Sequence, residues 1–212
     1  SPGGQAAPSP RYSEPDNSIL PQSLLTKVCA TTVTIIRNDI GQVLVATEHP
    51  PKKDDHCTDC YHLVAGRREG KSIILTCYEE TAEESRLLPI NKNWEVWFSL
   101  FMPRGKWVME PFFCDMGKAA VFVINIGDVK HFWNATGILP QGQAEQFKDK
   151  SQLQTTFTNL RNRLGHTMYT EKRSFKWVDL PSDDNWERWA KENSIYGWAK
   201  TVIEEYVKKL YS

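Results

Sequence analysis

Residues 63–88 read LVAGRREGKSIILTCYEETAEESRLL, and the acidic core of that stretch decides how the rest of the chain is read. In a helix, Glu80, Glu83 and Glu84 fall at i, i+3 and i+4, so three carboxylates fan across about 100° of one face. Like charges that close repel unless something cationic sits among them. A hard divalent cation, Mg²⁺ or Mn²⁺, takes oxygen ligands of this kind. The plainer alternative is a solvated acidic helix face. The predicted helix covers 73–87, with Ser72 as its N-cap and Pro89 as its stop. Ile73, Ile74, Cys77, Tyr78 and Thr81 form its buried stripe, which meets the carboxylate arc only at the edge.

Upstream, TTVTIIRN (31–38) and QVLVATE (42–48) are β-branched apolar runs around the turn signal Asn38-Asp39-Ile40-Gly41, a predicted hairpin. HPPKKDDHCTDC (49–60) reads as a polar loop, and YHLVAG (61–66) as a short strand entering a glycine turn. Downstream, WEVWFSLFM (94–102), EPFFCDM (110–116) and AAVFVINI (119–126) read as strands, the first two bracketing Pro103-Arg104-Gly105. Residues 142–165 read as one or two amphipathic helices, and FKWVDL (175–180) as a last strand. Residues 185–211 read as helical, with Trp186, Trp189, Ile195, Trp198, Val202, Ile203, Tyr206 and Leu210 on the packed side. Strands first, one helix within the sheet region and helices at the end predict an α+β sandwich. Residues 1–22, rich in Pro, Ser and Gly, read as a mobile arm, and 23–212 as one domain.

Twenty-six basic residues balance twenty-six acidic ones among 212, so total charge calls for neither nucleic acid nor an anionic membrane. No apolar run reaches the length of a membrane span, and no signal sequence opens the chain, so we expect no membrane association. The start at Ser1-Pro2, without Met, reads as a processed or trimmed product, so any targeting segment could have been removed with what preceded it. Five cysteines (Cys29, Cys57, Cys60, Cys77, Cys114) are an odd number without a disulfide-scaffold spacing. Free thiols in a reducing compartment follow, and an intracellular, most simply cytoplasmic, location with them; an organelle or the nucleus stays open.

The order hairpin, strand, glycine turn, acidic helix and further strands resembles the Nudix hydrolase superfamily. The Nudix box reads Gly, five residues, Glu, seven residues, then Arg-Glu-aliphatic-any-Glu-Glu-any-Gly-aliphatic. Its helical half matches Glu79-Glu80-Thr81-Ala82-Glu83-Glu84-Ser85-Arg86-Leu87. The resemblance, over residues 65–87, implies a Nudix-like α/β/α sandwich with a mixed β-sheet and C-terminal helices. It implies Mg²⁺ or Mn²⁺ held by Glu80, Glu83 and Glu84, with Gly66 at the leading glycine position completing the metal set. Three positions depart: the box's Arg is Glu79, its upstream Glu is Lys71 and its late Gly is Arg86. Counted without a gap, its leading Gly is Ala65; Gly66 takes that place if the loop is one residue short. If the family's Arg and upstream Glu pair with each other, Lys71 and Glu79 are that pair with the charges exchanged.

The chemistry the resemblance implies is attack by water on a diphosphate linkage, with metal ions orienting the water and lowering its pKa. Glu84, Glu83 and Glu69 are the candidate catalytic carboxylates; Glu145 and Asp149, from a later loop, are further candidates for the base. Arg67, Arg68 and Lys71, where the turn meets the helix N-terminus, are candidate phosphate ligands. The expected partner is a nucleotide-type small molecule or an RNA 5′ end, with a homodimer or protein partner open. Nucleotide sugar, dinucleoside polyphosphate, modified nucleotide and RNA cap all remain candidate substrates for such a pyrophosphohydrolase. The region 127–170 is the expected place for that choice. The competing reading is a catalytically inactive module of the same fold that binds RNA, a nucleotide or a protein, and a third is a scaffold in a larger assembly.

His56-Cys57-Thr58-Asp59-Cys60-Tyr61-His62 holds a CxxC between two histidines, half of a zinc site in spacing; no second pair occurs and one compact site from His56, Cys57, Cys60 and His62 is crowded, so a polar loop with free thiols is the reading adopted. Trp94, Trp97, Trp107 and Trp133 are either core or a stacking platform for bases.

Overall fold

Alternation along the strands sorts the apolar residues into two cores. The computed structural model describes residues 19–25, 28–85, 87–88, 93–129, 131 and 172–212. Strand β1 (Thr31–Arg37) is buried along its whole centre. Its Ile36 faces one core with Leu44, Ala120, Phe122, Ile124 and Trp177, while Val33 and Ile35 face the other with Val43, Val45, Val121 and Val123. A strand buried on both sides favours compact β-branched residues, which TTVTIIR supplies at every position but Arg37.

The sheet is mixed, in the order β6 (Phe112–Cys114), β7 (Ala119–Asn125), β1, β2 (Val43–Glu48), β8 (Lys172–Val178). β1 runs parallel to β7 and antiparallel to β2, as the hairpin reading predicts. β5 (Val64–Arg67) pairs antiparallel with the first half of β1, through Thr31↔Arg67 to Thr34↔Val64. β1 and β2 meet at Arg37↔Val43, so β2 and β5 fork apart from the same edge.

Helix α2 (Ile73–Glu80) and α3 (Trp94–Phe98) fill one core with Leu20 and with Leu24 of α1 (Gln22–Leu25). Helices α4 (Trp186–Asn193) and α5 (Gly197–Leu210) cover the other. The result is a helix–sheet–helix sandwich of the α+β class, as expected. Leu20 lies inside the expected arm yet is buried. No described helix is long and apolar enough to cross a membrane. The expected helices at 142–165 lie outside the described residues.

Three expectations are corrected. WEVWFSLFM is not a strand: α3 covers 94–98 and a 3-10 turn follows at 99–101. Trp94, Trp97, Phe98 and Phe101 are buried while Val96 is 54% exposed. That is spacing i, i+3, i+4, i+7, which the shorter alternation within WEVWF conceals. The 49–60 stretch is not a loop but a hairpin of β3 (Lys52–Asp54) and β4 (Cys57–Cys60). Cys57 and Cys60 are not free thiols but a disulfide, whereas Cys29, Cys77 and Cys114 are free and buried.

Trp94 lies against Tyr78 at 5.8 Å and edge-on to Phe98 at 6.0 Å. Trp94→Ala should lower the unfolding free energy by about 3–5 kcal/mol in urea titrations, and Val96→Ala by under about 0.5 kcal/mol. A strand would place Val96 beside Trp94, so comparable losses at both positions would overturn the helix.

Candidate functional site

The turn from β5 to α2 reverses the chain so that the acidic helix lies back over its own strand. Glu69 and Gly70 both take positive φ, 50° and 84°, and the Lys71 N–H donates to the Arg68 carbonyl at 2.9 Å. Ser72 Oγ then accepts from Leu75 N at 3.1 Å, the predicted cap. Ile73 through Glu79 are all buried, so the helix is enclosed nearly all round rather than along a stripe.

Glu80 lies directly on Gly66. A Cβ at Gly66 would come within 2.0 Å of Glu80 Cδ and 2.3 Å of its Cγ, so only glycine leaves room for that carboxylate. One turn on, Glu84 Oε1 accepts the Ala65 N–H at 2.8 Å. The predicted α-helix ends at Glu80, and Thr81–Ser85 continues as a π turn. Thr81 Oγ1 donates to the Cys77 carbonyl and meets Thr34 Oγ1 at 2.6 Å, while Ser85 Oγ donates to the Thr81 carbonyl. Hydroxyls that back-bond to i−4 carbonyls loosen a helix, and single π turns frequently mark functional sites.

Burial, and then the charges of Glu84 and Glu83, push the Glu80 carboxyl up to about 9. Glu83 is half-buried and Glu84 buried. The acceptor oxygens of Glu80, Glu83 and Glu84 do not all close to within 4.8 Å of one another; among the described residues, Asp54, Cys57 and Cys60 do.

Among the described residues, two lysines beside these acids are held by ion pairs. Lys71 Nζ donates to Glu79 Oε1 at 2.8 Å, both groups being about nine-tenths buried, while Glu79 Oε2 has no hydrogen-bond partner. Burial lowers the Lys71 pKa, but the bond and charge of Glu79, then Glu80 and Glu83, outweigh it and hold the ammonium above its ordinary value. This is the contact that the charge-exchanged pair requires. Lys172, from β8, is 1% exposed; it donates to Glu48 across the β2–β8 ladder and to the Leu63 carbonyl at 2.7 Å. Its Nζ lies 4.0 Å from Glu84 Oε1. Sequence reading missed Lys172 and Glu48: they lie 124 positions apart, and no local signal joins them.

Of the candidate phosphate ligands, Arg67 is exposed at the end of β5. Arg68 instead braces the loop, with Nε donating to the Lys71 carbonyl and Nη1 to that of Cys29. Lys71 is bound to Glu79. Glu69 sits in the turn itself. Trp94 and Trp97 belong to the core and Trp107 packs edge-on to Phe98, so these three form no exposed platform. His62 is not beside the CxxC as a ligand: its Nδ1 accepts from Leu63 N, and Tyr196 and Trp198 flank the ring. Burial first, then Lys172 and Lys52, push its pKa down to about 2, so it is neutral. Trp133, Glu145 and Asp149 lie outside the described residues.

No family model matches this sequence, and no curated protein matches it. Among solved structures, the chain is similar to a MutT protein from Methanosarcina mazei Go1, with 11% identity, 88% of this chain and 99% of that chain covered, and a TM-score of 0.38. That distance assigns neither a family nor an activity.

Lys71→Ala leaves Glu79 buried without its cation and should cost about 3–5 kcal/mol, as should Glu79→Ala for the opposite reason. Together they should cost clearly less than the sum, and additive losses in denaturant titrations would refute the coupling. The raised Glu80 pKa favours the protonated folded state. Its contribution is therefore full below pH 4.5, the ordinary carboxyl value, and lost as pH rises through about 9. Relative to the wild type, Glu80→Gln should gain stability progressively across that window, read from thermal unfolding at a series of pH values.

Proposed function

We propose that the face where α2 lies on β5 is a divalent-metal-dependent hydrolytic site for a diphosphate linkage in a nucleoside diphosphate derivative. The observation that carries this reading is Glu80 seated on a glycine that admits no side chain, with Glu84 fixed to the adjoining backbone N–H. A merely solvated acidic face needs neither the missing Cβ nor the buried carboxylates.

The donor set fits a hard cation, Mg²⁺ or Mn²⁺: three carboxylates, no sulfur and no imidazole. Glu80, Glu83 and Glu84 would hold it. Such an ion, when bound, polarises the phosphate oxygens and lowers the pKa of a coordinated water. Glu84 is held by the Ala65 N–H with the Lys172 ammonium nearby, so one of its oxygens is already committed. Glu83, half-buried and on the same turn, is the better proton acceptor from the attacking water. Arg67 supplies the cationic contact to the substrate phosphate, since Arg68 and Lys71 are committed elsewhere.

The alternative is a module that binds RNA, a nucleotide or a protein without cutting it. Lys172 favours it: a buried ammonium 4.0 Å from Glu84 supplies positive charge at one of the acids that a metal would need.

The two readings part in one experiment. The chain and a Glu83→Gln, Glu84→Gln variant are incubated with a panel of nucleotide sugars, dinucleoside polyphosphates, modified nucleotides and capped RNA, with and without Mg²⁺ or Mn²⁺. Metal-dependent release of phosphorylated product, reduced at least about a hundredfold in the variant, is the expected result. Absence of turnover on every substrate, with binding equal in both proteins, would establish the module instead.

A further inference from the structure

The CxxC that sequence reading set aside lies in a cluster the hydrolytic site does not use. β3 and β4 join through Asp55 and His56, with Asp54 opposite Cys57 and Lys52 opposite Cys60. Asp54 Oδ1 stands at the centre: 3.5 Å from Cys57 Sγ, 3.7 Å from Cys60 Sγ and 2.9 Å from His56 Nδ1.

Two features of this cluster bear on what it can hold; besides them, Asp54 Oδ1 accepts the His56 backbone N–H at 3.3 Å. Disulfide sulfurs carry no proton, so neither can donate to the carboxylate oxygen beside it. His56 Nε2 lies 2.6 Å from the Ile195 carbonyl, which can only accept, so the ring proton is on Nε2. Nδ1 then meets Asp54 Oδ1 with a proton or a cation required between them.

We propose that Asp54, Cys57 and Cys60, whose ligand atoms lie within 4.8 Å of one another, form a zinc site with water in its fourth position, which the chain fills when the Cys57–Cys60 disulfide is reduced. A tetrahedral Zn²⁺ with ordinary bond lengths sets bound oxygen and sulfur about 3.5 Å apart and two bound sulfurs about 3.8 Å apart. The oxygen–sulfur separations already match; the sulfurs part when their bond is cut, and C-x₂-C is a spacing that zinc sites use. In the exchange, an external dithiol gives two electrons and two protons to the disulfide and leaves as its own disulfide. Zn²⁺ then displaces both thiol protons to solvent.

The site would act as a structural cross-link equivalent to the disulfide. Asp54 Oδ2 also accepts from Gly197 N at 2.7 Å, His56 holds the Ile195 carbonyl, and Tyr61 exchanges hydrogen bonds with Ser194 and Tyr196. These hydrogen bonds fasten the hairpin to the α4–α5 corner, and either cross-link stiffens the hairpin that makes them.

Co²⁺, which reports thiolate ligation by colour, is titrated into the reduced full chain, and Zn²⁺ is then added to displace it. The expected result is one thiolate-ligated equivalent, with sulfur-to-cobalt charge-transfer and tetrahedral d–d bands that Zn²⁺ bleaches. The oxidised chain should show no such bands, and a Cys57→Ser, Cys60→Ser variant should show none on reduction. Asp54→Asn should weaken binding by more than about tenfold. The Glu83→Gln, Glu84→Gln variant should show the same thiolate bands at the same Co²⁺ midpoint, which separates this site from the proposed hydrolytic one. A reduced wild-type chain that stays folded by circular dichroism yet shows no thiolate band with one equivalent of Co²⁺ would overturn the proposal. So would bands that persist in the double serine variant, because they would come from Cys29, Cys77 or Cys114.

Discussion

Burial of β1 on both faces is the constraint from which the rest of the structure follows. A central strand between β7 on one side and β5 and β2 on the other has no edge to offer water, so both faces must be covered. Its even-numbered residues meet α2 and its odd-numbered apolar ones meet α5. Thr34 sits on the α2 side, where its hydroxyl meets Thr81 at the start of the π turn. The strand that organises the two cores therefore also fixes the turn that carries Glu83 and Glu84.

Charge within that layer is settled by geometry more than by number. Two lysines, Lys71 from the turn and Lys172 from the last strand, lie against the acidic helix from opposite directions. Lys71 is spent on Glu79 and ties the loop to the helix. Lys172 joins Glu48 on β2 to Glu84 on the helix, across the fork between β2 and β5. Both are buried, where an ammonium stripped of water needs partners of opposite charge. The carboxylates are thus a partly compensated cluster, and burial first, then the charges of Glu84 and Glu83, raise the pKa of Glu80 on its seat at Gly66.

What was legible in the sequence divides by the range of the interaction. The β1–β2 hairpin, the Ser72 cap, β5, β7 and the terminal helices rest on turn chemistry, capping and periodicity, all local. α3 was misread because WEVWF satisfies two periods at once, and only the core it faces chooses between them. The β3–β4 hairpin was unreadable as strands: KKD and CTDC carry almost no apolar side chain, and their pairing rests on a short turn, a disulfide and bonds to the α4–α5 corner. For the carboxylates, spacing placed Glu80, Glu83 and Glu84 on one helix, and the charge-exchanged Lys71–Glu79 pair could be written down from the sequence.

By itself, then, the sequence determined the α+β class, the acidic helix and its attachment to a glycine turn, because each depends on residues within a few turns of one another. Only the tertiary structure decided that Gly66 rather than Ala65 lies under Glu80, since that is a matter of the close approach between a helix and a strand. It alone placed Lys172 beside Glu84, tied Arg68 to loop carbonyls, buried Lys71 against Glu79, and brought Asp54 and His56 to Cys57 and Cys60. Those contacts join groups that the chain separates, or that local spacing leaves free to point elsewhere. The acidic stretch fixed which groups are present; the packing of β5, β8 and the helix upon it fixed which cations meet them.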